Sequence, residues 1–162
     1  MTRGLAEPVA PVLVLGVGNS LLCDDGAGLR LLDELRGPNP WPERVEWVDG
    51  GTQGIALLWV LSQRRAAIIL DAVKLGSAPG TVHVLGMDDL RRFGPAGSVS
   101  AHEGNALQLL GAAELIGELP EHVTVVGIEP AGIRTGVGLS PPVEAALPRA
   151  KEIVRRLLVE LV

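Results

Sequence analysis

Asp25, Asp49 and Asp71 each follow one of the first three apolar, strand-like segments of this 162-residue chain, and His102 opens a helical segment after the fourth. Where such strands run parallel, their C-terminal ends lie along one edge, and open α/β sheets hold their ligands there. Two carboxylates and an imidazole on such an edge can hold a divalent ion with coordination positions open to water or to a partner's donor. The same set can equally run general acid–base chemistry. Each residue also has a plainer use: Asp25 as a helix cap, Asp49 as a turn former, Asp71 as a polar strand terminus and His102 as a helix-start residue. Four plain residues on one edge are less expected than a site.

The strongest local pattern is Gly16-Val17-Gly18-Asn19, followed at a short interval by Cys23-Asp24-Asp25-Gly26-Ala27-Gly28. It joins the β-branched run Val12 to Leu15 to a helix whose face is Leu29, Leu32 and Leu35, with Leu31 beside them. The adjacent pair Asp24-Asp25 suits the positive end of that helix. A second strand around Val45 to Val48 ends in the turn Asp49-Gly50-Gly51-Thr52. Ala66 to Leu70 is continuously apolar, as a buried central strand requires, and runs into Asp71. Thr81 to Leu85 alternates like an edge strand with one wet face, which predicts a solvent-facing His83. Val123 to Ile128 forms the last strand and leads into Glu129-Pro130. Ser140 and Pro141 start a long closing helix with an apolar face from Val143 to Leu161, interrupted by Pro148. The alternation predicts a single α/β domain over 1–162, a twisted, mostly parallel sheet of about five strands with helices on both faces.

Composition narrows the function. Fourteen Lys and Arg stand against 19 Asp and Glu, a formal net charge of −5, and aromatic residues make up 2% of the chain. A nucleic-acid partner needs a basic surface and favours stacking platforms, so neither backbone nor base binding is expected. No apolar run approaches the roughly 20 residues needed to span a bilayer, and no membrane partner is expected. Glu7, Pro8 and Pro11 interrupt the N-terminal apolar stretch, so it does not read as a signal peptide, and the expected location is cytoplasmic. The single cysteine, Cys23, fits a reducing compartment and, between glycine loop and carboxylates, reads as structural. A dinucleotide site would need glycine where Leu21 stands and an acidic residue earlier than Asp49, which leaves nucleotide binding a minor alternative. The chain has neither H-E-x-x-H nor G-x-S-x-G, the signatures of the common zinc and serine hydrolases.

Taken in order, Gly16 to Asn19 with Asp24 to Gly28, Asp49 to Gly54, Asp71-Ala72, Ser100 to Glu103 and Gly127 to Pro130 resemble the hydrogenase maturation endopeptidases. The resemblance runs from Val12 to the last helix. It implies a protease that trims the C-terminal extension from the large-subunit precursor of a nickel-iron hydrogenase and recognises nickel already installed there, with no permanent cofactor of its own. The family's metal-binding positions fall on Asp25, Asp71 and His102, which the resemblance also makes the catalytic set. Many members carry Glu where this chain has Asp25, a reach shorter by one methylene that retains an oxygen ligand. Gly18, Asn19, Asp24, Asp49, Gly50 and Thr52 match the motifs and read as loop-shaping or substrate-positioning residues. Water activation by a carboxylate and by nickel as Lewis acid both fit these residues. A non-proteolytic nickel-binding chaperone is the alternative of another class. The loops from Phe93 to Ser100 and from Ile133 to Leu139 are the expected seats of substrate choice, and the protein is expected to act as a monomer.

Overall fold

The computed structural model describes residues 9–92 and 106–162. Strand β1 (Val12–Val17) leads through a 3-10 turn (Cys23–Gly26) to helix α1 (Ala27–Leu35), and β2 (Val45–Gly51) leads through a second 3-10 turn to the short α2 (Leu58–Leu61). Then follow β3 (Ala66–Ala72), β4 (Val82–Gly86), α3 (Met87–Arg92), α4 (Ala106–Ile116), β5 (His122–Ile128) and α5 (Pro141–Leu161). The five strands form one sheet in the order β2-β1-β3-β5-β4. All neighbours are parallel except β4, which pairs antiparallel with β5 at the edge.

Side chains of a strand alternate between faces, so each buried strand feeds two cores. Val12 and Val14 of β1, Ile68 and Leu70 of β3 and Val126 and Ile128 of β5 pack against α1 and α5. Leu13, Leu15, Ala67, Ile69 and Val125 pack against α2 and α4 on the other face. This double burial is why Val12 to Leu15 and Ala66 to Leu70 read as unbroken apolar runs, and helices on both faces follow from it. Helix α5 continues through Pro148, whose ring stands on the exposed side. Gly28 lets α1 lie close on β3: a Cβ there would sit 2.2 Å from the Leu70 carbonyl oxygen.

Three local expectations are corrected. Neither Asp24 nor Asp25 caps α1; both lie inside the preceding 3-10 turn, and the residue at the cap is Gly26. Their carboxylates are drawn to backbone donors elsewhere. His83 is not solvent-facing, because its ring folds onto the buried Glu129 carboxylate with Nε2 donating at 2.9 Å. Strand β2 extends beyond Val48 to Gly51, since Gly16 still pairs with Asp49 and a slip in register pairs Val17 with Gly51.

Candidate active site

The chain leaves β1 for β2 on one side, and β3 lies on the other, so the sheet order reverses at β1. Loops leaving the C-terminal ends of β1 and β3 diverge there and open a crevice, the usual ligand position of a doubly wound sheet. Asp25 comes from the first of these loops and Asp71 from the end of the neighbouring strand.

Asp25 is held by a tight backbone cradle. The Asn19 amide donates to Asp25 Oδ2 at 2.9 Å, and the Asn19 side chain accepts the Leu21 amide at 2.9 Å, bending the loop back on itself. Gly18 has φ +133°, and a Cβ there would lie 2.1 Å from the Asp25 carbonyl oxygen. Only glycine fits. Cys23 adopts φ +48°, a conformation costly for a residue with a Cβ. Its amide donates to the Gly136 carbonyl, and the Gly136 amide donates to the Leu21 carbonyl, each at 2.9 Å.

The left-handed residue turns the two neighbouring aspartates to different work. Asp24, 1% exposed, accepts bonds from the Ala131 amide at 2.8 Å, the Ser140 amide at 2.7 Å and the Ser140 hydroxyl at 2.8 Å, with a longer one from Gly132. Burial by itself would raise its pKa, but the Ser140, Ala131 and Gly132 donors outweigh burial and hold the carboxyl below its ordinary value. Asp24 is thus a fixed anion that ties the glycine loop to the connection between β5 and α5.

Asp71, 4% exposed, accepts the Ala106 amide at the start of α4 at 3.0 Å. Burial pushes its carboxyl up to about 8, against the Ala106 and Ala72 bonds and with help from the neighbouring charge of Asp25. A carboxyl in that position holds a proton at neutral pH that it can donate, or release to make room for a cation. Asp25 and Asp71 therefore act on one another across the crevice, supplying oxygen donors from the 3-10 turn after β1 and from β3.

The other candidate residues divide by position. Gly18 and Asn19 shape the cradle just described. Asp49 is exposed and accepts the Gly51 amide at 3.0 Å, closing the turn after β2. Gly50 is buried where a Cβ would meet Leu57 and Leu15 side chains at 2.7 and 2.9 Å, and Thr52 is exposed. His102, with Glu103, lies outside the described residues, and among the described ones no three His, Cys, Asp or Glu side chains gather as a metal site.

Glu129, directly after β5, has a structural role that its motif does not reveal. Its 2% exposed carboxylate accepts the Leu75 and Gly76 amides at 2.8 and 3.0 Å and the His83 ring at 2.9 Å, fixing the chain that leaves Asp71. An acidic residue directly after a mostly apolar strand is the available signal.

A family model described as hydrogenase maturation protease matches residues 29–157. The chain belongs to that family. Its activity is that of a hydrogenase maturation protease, an endopeptidase. The hydrogenase 2 maturation protease of Escherichia coli is 38% identical over 153 residues, covering 92% of this chain and 91% of the relative. A hydrogenase expression/formation protein, HupD of Rhizobium leguminosarum, is 35% identical over 95% of this chain and 77% of its own length. The solved structure of the hydrogenase maturating endopeptidase HybD from E. coli superimposes with a TM-score of 0.81 at 37% identity, covering 92% of each chain. This maturation protease has, among its described residues, no helix long and apolar enough to cross a membrane.

Proposed function

We propose that this maturation protease removes the C-terminal extension of a nickel-loaded hydrogenase large-subunit precursor and reads the nickel through Asp25, Asp71 and His102. The observation that carries the reading is the buried Asp71 carboxyl beside Asp25 at the switch point of the sheet. Two carboxylates held by backbone bonds on separate elements are preorganised oxygen ligands, and an imidazole from the segment before α4 completes a set with room for donors from the substrate. Nickel then arrives with the substrate, and no resident cofactor is required. Asp71 exchanges its proton for the cation, so a precursor without nickel leaves the site protonated and unengaged. The protease acts as a monomer.

Intact-mass measurement of nickel-loaded and nickel-free precursor, each incubated with this protein, tests the reading. Loss of a C-terminal peptide from the loaded precursor alone is the expected result. Cleavage of both forms would remove the nickel checkpoint, and cleavage of neither by a protein that binds the precursor would make it a chaperone.

A further inference from the structure

A cavity of about 240 Å³ opens on the Asp24 side of the glycine loop, walled by Cys23, Asp24, Arg134, Val137, Leu139 and Ser140. Its far wall is the connection between β5 and α5, and that connection is locked to the glycine loop. Leu22 and Gly136 form a parallel β-bridge, with the Cys23 and Gly136 amides donating across it. Anything seated in the cavity is therefore in fixed register with Asp25, two residues beyond Cys23.

The wall has a definite chemistry. Arg134 is its one cation, exposed, with no ion pair or hydrogen bond to any described residue. The nearby anion Asp24 is already answered by its backbone and Ser140 donors. Among the described residues nothing occupies the guanidinium's fork of donors, the geometry that binds carboxylates. Val137, which shares the cavity wall with Arg134, is 83% exposed, and Leu21, 62% exposed, belongs to the other segment of the bridge. Isolated exposed apolar residues are ordinary, but one sharing a cavity wall with a cation that no described residue answers, next to the loop that carries Asp25, fits a peptide segment.

We infer that this cavity and its lip are a subsite for the substrate's C-terminal extension, in which Arg134 receives a carboxylate of the extension while Leu21 and Val137 cover an apolar residue beside it. The inference rests on the proteolytic reading above and adds the chemistry of the segment that is removed. The carboxylate comes either from an acidic side chain or from the free C-terminus. Either would meet the Arg134 guanidinium in the cavity wall.

The test compares wild type, Arg134→Glu, Val137→Asp and the control Arg156→Glu, an equal change of charge on the exposed side of α5. Each is assayed for cleavage of nickel-loaded precursor and for binding to it by biolayer interferometry. Arg134→Glu is expected to raise KM and Kd about tenfold, the cost of losing a charge-assisted contact, with the loss falling on KM rather than kcat. Val137→Asp is expected to raise both less, and Arg156→Glu to leave them at the wild-type value. Precursors with neutralised acidic residues in the extension, or with an amidated C-terminus, show the source: the matching one is no longer weakened by Arg134→Glu. Wild-type KM and Kd for Arg134→Glu, or an equal change in Arg156→Glu, would overturn the subsite. If wild type binds but does not cleave, the proteolytic reading fails and the Kd shift alone decides the subsite; if it neither binds nor cleaves, both fall.

Discussion

Asp24 and Asp71 are both almost fully buried carboxyls at the same sheet edge, yet they lie in opposite charge states. Asp24 collects donors from two backbone amides and a hydroxyl within 2.8 Å and stays below its ordinary pKa. Asp71 has the Ala106 and Ala72 amides, a second carboxylate nearby and complete burial, and rises to about 8. Donor number and depth of burial both separate them: Asp24 has more donors and borders a cavity, whereas Asp71 has fewer and lies deeper. A buried carboxyl with all its donors supplied is a fastener; one left short of donors is available for chemistry.

The sharpest way to break that contrast is to exchange the titrating oxygen of Asp71. Asp71→Asn keeps an acceptor for the Ala106 amide but cannot become an anion, and processing of loaded precursor is expected to fall at least about 100-fold. Precursor cleavage by a variant with a native circular dichroism spectrum checks it, and a normal rate would remove Asp71 from the site. Asp24→Ala attacks the other side. It strands the Ala131 and Ser140 donors and releases the β5–α5 connection, with an expected loss of about 2–3 kcal/mol in urea unfolding. A loss below about 0.5 kcal/mol would show those bonds to be replaceable by water.

Stability against pH separates the two groups by sign. Asp71 has its pKa raised from 3.8 to about 8 on folding, so the native state binds the extra proton between those values. Its contribution is fully present below pH 3.8 and is lost as pH rises through 8. Asp24 has its pKa lowered, so its contribution is present above 3.8 and is lost as pH falls through the native value. Wild type should therefore lose stability relative to Asp71→Asn on the order of 1 kcal/mol per pH unit between pH 5 and 7, read as the difference in urea midpoints. A parallel pair of pH curves would mean that Asp71 is ionised in the native protein. The smallest effect is expected at His83→Gln, which keeps a donor toward Glu129 but gives up the imidazole: about 0.5–1 kcal/mol in thermal melting, with cleavage retained.

Much of this architecture follows from pattern alone. The unbroken apolar runs Val12 to Leu15 and Ala66 to Leu70 are buried on both faces, the mark of a parallel sheet under helices. The placement of Asp25 and Asp71 at one edge follows from the same topology. Residue types at strand ends therefore show which side chains share an edge, because strand direction is a property of the chain's order.

The division of labour between adjacent aspartates did not follow from pattern. Asp24 and Asp25 are neighbours with the same side chain, and the left-handed turn at Cys23 aims one at Ser140, 116 residues away, and the other at Asn19. His83 shows the same limit, since alternation placed it on the wet face of an edge strand while Glu129, 46 residues on, closes over it. Periodicity reports which face a side chain leaves by. Its partner, and with it its charge, is set by long-range loops that only the folded chain brings together.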